Sequence, residues 1–249
     1  MRIENSFIPI RGVGETTERR LWEAGVTHWE SFDGSVVGPK TAERIEAFVD
    51  VATDHLRRDD ARFFDESFPT GERWRLYENF RDDALFFDIE TTGLDADRND
   101  VTTVSCYRGG DVETLVRGDN LTPGALREQF ADASLLVSFN GARFDVPFLE
   151  QSFDVSIDAP HLDLMYPCRR LDLTGGLKRI ETEVGIDRDR PDLSGEDAVR
   201  LWREYERGDD AALETLVSYN REDTENLERL ADHVTGRLHE AVSPDTTTF

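Results

Sequence analysis

The spacing of apolar and polar positions changes character near residue 84. Upstream of it the pattern is helical and short. A glycine-rich turn, Ile8-Pro9-Ile10-Arg11-Gly12-Val13-Gly14, precedes a helix predicted over 15–24 that stops at Gly25. A looser repeat, Val36-Val37-Gly38-Pro39-Lys40, leads into a helix running to about residue 52, with Ala42, Ile45, Phe48, Val49 and Ala52 on one stripe. Residues 55–83 are polar and charged with scattered aromatics (Phe63, Phe64, Phe68, Trp74, Tyr77, Phe80). They predict a linker that packs on the domain after it.

From residue 84 the pattern changes from helical to strand-like. Ala84-Leu85-Phe86-Phe87-Asp88-Ile89 is a continuous apolar run suited to a central strand covered on both faces. Alternating strands follow over 101–107 and 112–116, around Gly109-Gly110. Next come a helix at 123–130, a strand at 134–139, a helix from about 144 and a short strand at 160–164. Helices are expected near 175–184, 194–207 and 210–235. A hairpin meander followed by alternating strands and helices indicates an α/β fold: a mixed sheet flanked by helices, preceded by a small all-α domain. The expected divisions are 1–54, the linker 55–83, the α/β domain 84–240 and a frayed tail 241–249.

Composition removes several classes. No apolar stretch is long enough to span a membrane, and no signal-type block follows the N-terminus, so a cytoplasmic protein is expected. Two cysteines, Cys106 and Cys168, are too few for a disulfide framework or a zinc site. The net charge is −24, and only Lys40 and Lys178 among the 29 basic residues are lysine. The excess acid runs the whole length, as in salt-adapted, halophilic proteins whose carboxylates stay hydrated. A nucleic-acid partner therefore stays open despite the charge.

Some carboxylates stand where apolar residues belong. Asp88 and Glu90, two apart on a strand, point to one face. Asp145 follows another central strand and shares an inward helical face with Phe148 and Leu149. Asp223 falls on the apolar stripe of the last helix (Leu213, Leu216, Val217, Leu227, Leu230, Ala231, Val234), with Tyr219 one turn below it. Burying such groups costs several kcal/mol each, and clustering adds repulsion. Divalent cations remove both penalties, and an oxygen-only set suits Mg2+ or Mn2+. Two ions about 4 Å apart would activate a water and stabilise a phosphodiester leaving oxygen, with Tyr219 orienting that water. Taken singly, each element has a plainer reading: a solvated strand end, an arginine-paired helix aspartate, a turn asparagine.

In combination, Phe87-Asp88-Ile89-Glu90-Thr91-Thr92-Gly93, then Phe139-Asn140-Gly141-Ala142-Arg143-Phe144-Asp145, then Tyr219-Asn220-Arg221-Glu222-Asp223 resemble the three motifs of the DEDDy exonucleases of the ribonuclease H-like superfamily. The setting is similar to the predicted exonucleases of the YprB type, with which it shares His161-Leu162-Asp163-Leu164-Met165 and Gly175-Gly176-Leu177-Lys178. The resemblance covers about residues 84–235. It implies Asp88, Glu90, Asp145 and Asp223 as ligands for two Mg2+ or Mn2+ ions, Tyr219 as the water-positioning group, and 3′→5′ hydrolysis of single-stranded DNA or RNA ends. Thr91, Asn140 and Phe144 are the expected substrate contacts, although Asn140 serves equally as a turn residue. Lys178 and Arg179 read either as phosphate contacts or as a solvated helix face, and His161 with Asp163 as a hydrogen-bonded strand end.

Ile10-Arg11-Gly12-Val13-Gly14-Glu15 resembles a helix-hairpin-helix motif, with Val37-Gly38-Pro39-Lys40-Thr41-Ala42 as a degenerate second copy. The resemblance implies that Gly12, Val13 and Gly14 offer backbone N–H groups to a nucleic-acid phosphate. A protein-binding module is the competing reading. For the whole chain, the competitors to an exonuclease are a non-catalytic nucleic-acid-binding protein and a structure-specific endonuclease.

Overall fold

A computed structural model describes residues 1–242, so the tail expected to fray lies, from residue 243 on, outside the described residues. The chain forms two compact units, Met1–Arg81 with the segment from Asp232 on, and Asp82–Ala231.

The first unit is helical. Helix α1 (Glu15–Glu23) starts after Gly12, whose φ of +92° a side chain would strain, and α2 spans Pro39–Leu56 with proline in its first turn. The segment expected as a linker folds instead into α3 (Ala61–Ser67), a 3₁₀ stretch Thr70–Leu76 and α4 (Tyr77–Phe80). These bury Phe64, Phe68, Trp74, Leu76, Tyr77 and Phe80. Their aromatics are core residues of this unit. At its centre the fully buried Arg75 pairs with Glu18 at 3.0 Å and Glu72 at 2.7 Å, and Glu18 also accepts from Ser6 Oγ and the Phe7 N–H. A buried charge is tolerable only when it is paired and hydrogen-bonded in this way.

The second unit is built on a five-stranded mixed sheet flanked by helices. Its strands are β1 (Ala84–Thr91), β2 (Val101–Arg108), β3 (Asp111–Val116), β4 (Leu135–Ser138) and β5 (His161–Asp163), in the order β3-β2-β1-β4-β5. The β1–β2 and β2–β3 pairs are antiparallel, and β1–β4 and β4–β5 parallel. The α-helices after β3 are α5 (Pro123–Ala131), α6 (Asp145–Phe153), α7 (Met165–Arg170), α8 (Leu177–Val184), α9 (Gly195–Tyr205) and α10 (Asp210–Val242), whose residues from Asp232 on are counted with the first unit.

Alternation along β1 divides its side chains between two faces of the sheet. Leu85, Phe87 and Ile89 point into a core with Leu126 and Phe130 of α5 and Phe148 and Leu149 of α6. Each such burial contributes about 1.5–3 kcal/mol. The intervening Phe86, Asp88 and Glu90 must face the other way. That side is met by α10, whose Asn220 reaches Asp88 and whose Glu228 accepts from Tyr107 on β2. A register shift between Glu90 and Thr91 then ends regular pairing with β2.

Candidate active site

Asp88 and Glu90 extend from the end of β1, half-buried, while Asp223 projects from α10 and is 6% exposed. One carboxylate oxygen from each lies within 4.8 Å of the others. Asp145, 5% exposed at the start of α6, accepts the Ile89 N–H at 3.3 Å, which fixes it between the two acids of β1. Three carboxylates from two distant segments therefore converge, and Asp145, from a third, is close enough to act electrostatically on both acids of β1.

Their proton affinities record the crowding. Burial, then Asp145, Asp223 and Glu90, push the Asp88 carboxyl well above its ordinary range. Burial, then Asp223 and Asp145, do the same to Glu90. Burial raises Asp145 to about 7 despite the backbone N–H it accepts. Burial also raises Asp223, opposed by Arg188. Such a set is short of positive charge, and an oxygen-only cluster of this size fits hard divalent ions. Asn220 turns its amide nitrogen to Asp88, while its buried Oδ1 has no hydrogen-bond partner among the described residues.

The loop before Asp145 is held by Asp163. Its carboxylate accepts the backbone N–H of Asn140 at 2.7 Å, Ala142 at 3.3 Å and Met165 at 3.0 Å. Asn140 adopts a φ of +67°, where asparagine is among the few tolerated side chains. Gly141 is required by close approach: a Cβ there would lie 2.2 Å from Ser138 Oγ. Ser138 Oγ and His161 Nε2 share a hydrogen bond of 2.8 Å. His161 and Asp163 are thus the hydrogen-bonded strand end expected from sequence.

Of the expected substrate contacts, Thr91 is buried and donates to the Gly93 carbonyl at 2.8 Å, and Phe144 precedes Asp145 as a half-buried ring packed edgewise on Phe148. Gly12, Val13 and Gly14 belong to the helical unit, at the N-terminus of α1. Tyr219 is buried one turn before Asp223. Burial and the carboxylates of Asp223, Glu90 and Asp88 raise its phenol, keeping it protonated.

Three neighbours of the acids were not singled out by sequence. Asn220 donates to Asp88, and Arg188 pairs with both Glu181 and Asp223 and lies 3.6 Å from Glu222. Periodicity holds a signal for two of them. Asn220 lies on the stripe of Leu216, Asp223 and Leu227, and Glu181 on that of Leu177, Ile180 and Val184. Arg188, in a loop, has no such signal. Lys178 takes neither of its expected roles alone: its ammonium donates to the Leu193 carbonyl and sits 4.3 Å from the Tyr219 ring centroid.

A profile described as the RNase H superfamily matches residues 85–235, which is the whole sheet and most of α10. This chain belongs to the RNase H superfamily. Several solved structures resemble it at low identity. A nuclease in its apo form is 22% identical, with a TM-score of 0.47, over 64% of this chain and 74% of its own. Brucella melitensis NrnC bound to pGG is 19% identical, with a TM-score of 0.36, over 70% and 92% of the two chains. The family B DNA polymerase of the hyperthermophilic archaeon Pyrobaculum calidifontis is 19% identical, with a TM-score of 0.46, over 65% of this chain and 24% of the polymerase. No curated protein matches the chain. Among the described residues, no helix is long and apolar enough to cross a membrane.

Proposed function

We propose that this RNase H superfamily member is a divalent-metal-dependent exonuclease of the DEDDy type, removing nucleotides 3′→5′ from single-stranded ends of DNA or RNA in the cytoplasm of a salt-adapted cell. The observation that carries the reading is the convergence of Asp88, Glu90 and Asp223 to within 4.8 Å, with Asp145 tied to Ile89 between them. Asp88, Glu90, Asp145 and Asp223 would hold two Mg2+ or Mn2+ ions. When bound, such ions supply Lewis acidity, polarising a water for attack and offsetting charge that develops on the phosphate.

The protein's own groups supply the positioning. Asn220 orients the Asp88 carboxylate and Asp163 fixes the Asn140 loop. The protonated Tyr219 hydroxyl, hydrogen-bonded to Asp223, is assigned to orient the attacking water. Thr91 follows Glu90, Asn140 and Phe144 precede Asp145, and all three are assigned to the terminal nucleotide. The Gly12-Val13-Gly14 turn of the helical unit is assigned, as a helix-hairpin-helix grip, to backbone phosphate.

One observation favours a second reading, a nucleic-acid binder without catalysis: Arg188 already pairs with Asp223. End-labelled single-stranded DNA and RNA, incubated with Mg2+ or Mn2+ and with chelator, separate the two. The enzyme shortens labelled strands only with metal, whereas a binder retains affinity in chelator and cuts nothing. A circular single strand included in the assay must stay intact, because an exonuclease has no end there; its cleavage would indicate an endonuclease.

A further inference from the structure

Arg188 lies in the connection between α8 and α9, yet its side chain is only 3% exposed. It spans two carboxylates, Glu181 of α8 and Asp223 of α10. Glu181 is fully buried, has no role in the proposed hydrolysis, and stands where the apolar stripe of α8 calls for an aliphatic residue. A buried acid of that kind needs a fixed cation, and Arg188 is the one it touches. The guanidinium also lies 5.7 Å from the Tyr219 ring centroid. It is therefore lodged inside the acidic site, not passing over it.

The geometry points to Arg188 as the resident counter-cation of the acidic cluster: it neutralises Asp223 while no divalent ion is bound, and yields that carboxylate when one enters, remaining tethered to Glu181. This inference rests on the proposed metal-dependent function. A guanidinium and a divalent ion on one carboxylate would stand within about 5 Å of each other, a strong repulsion in a site screened from water. The two cations must then use Asp223 in turn. Glu181 explains why Arg188 stays nearby, because leaving would strand a second buried charge.

Mn2+ titration calorimetry on the full chain tests this, with thermal unfolding in chelator measured alongside. Arg188→Gln should bind Mn2+ at least tenfold more tightly than the parent and melt lower in chelator. Because that change strands Glu181, Arg188→Gln combined with Glu181→Gln is measured too, and should keep the tighter binding. Lys178→Gln removes an equal charge that shares no hydrogen bond with Asp223, and should change Mn2+ affinity less. Unchanged or weaker Mn2+ binding in the Arg188 variants overturns the inference while leaving metal dependence intact. Equal gains from Lys178→Gln overturn it too, by reducing the effect to net charge. So does collapse of both Arg188 variants even with Mn2+, since the arginine is then simply structural. If the parent protein binds no Mn2+, the proposed function falls as well.

Discussion

The side-chain amide of Asn220 donates to Asp88 Oδ2 at 2.7 Å and lies 3.3 Å from the Asp88 carbonyl oxygen. A residue of α10 thereby fixes the rotamer of a carboxylate on β1, two segments separated by 132 positions. Groups that orient a ligating carboxylate typically contribute 10–100-fold in metal affinity or activity. Asn220→Ala should therefore weaken Mn2+ binding by about that factor. Its cost in folding should stay near 1–2 kcal/mol, because the change also removes an unpartnered buried oxygen. Calorimetry beside urea unfolding checks both, and unaltered metal affinity would refute the tether.

Asp163 makes a heavier structural claim. Its carboxylate satisfies three backbone N–H groups, two of them in the loop that leads to Asp145. Asp163→Ala strands these donors and should cost about 3 kcal/mol, on the basis of about 1–3 kcal/mol per buried unsatisfied group with some relief from water. Asp163→Asn keeps an acceptor oxygen and should lose less. Urea unfolding ranks the three proteins, and an alanine variant as stable as the parent would contradict the arrangement.

How much of this was legible in the sequence depended on whether a residue's role follows from local period. The run from Ala84 announced a central strand, and the i, i+2 spacing of Asp88 and Glu90 already put both on one face. Asp223 betrayed itself by interrupting an apolar stripe. The helices at 61–67 and 77–80 were missed because charged residues dilute their stripes, although Phe64, Tyr77 and Phe80 proved fully or nearly buried. Arg188 was invisible for a different reason. Its partners Glu181 and Asp223 lie 7 and 35 positions away, and nothing local in a loop encodes such a pairing.

Tyr219 separates positioning from ligation. Tyr219→Phe keeps the ring that faces the Lys178 ammonium at 4.3 Å and loses only the hydroxyl. Turnover should fall by about tenfold to a hundredfold, the usual consequence of imperfect alignment of a reacting group, with Mn2+ affinity nearly unchanged. Asp88→Ala, in contrast, should lose both metal binding and turnover while remaining folded. Single-turnover hydrolysis of an end-labelled strand, paired with calorimetry, distinguishes the two. A fully active Asp88→Ala protein would end the assignment.

Protonation of His161 probes the fold independently of the acidic cluster. His161 lies at the start of β5, bonded to Ser138 Oγ with its ring 5.6 Å from that of Phe87, and burial lowers it from 6.5 to about 4. The unfolded chain therefore takes up a proton on this residue at a pH where the folded chain does not. Stability from His161 is complete above about pH 6.5, declines as pH falls toward 4, and changes no further below that. The full span is at most about 3 kcal/mol, since each pH unit of separation corresponds to about 1.4 kcal/mol and the residue keeps some exposure. His161→Gln removes the titration but preserves a polar partner for Ser138. Measured by urea unfolding in chelator, the stability advantage of the parent over this variant should shrink steadily from pH 7 to pH 4.5, the carboxylates common to both cancelling in the difference. An advantage that stays constant across that range would show that the imidazole is not held neutral by the fold.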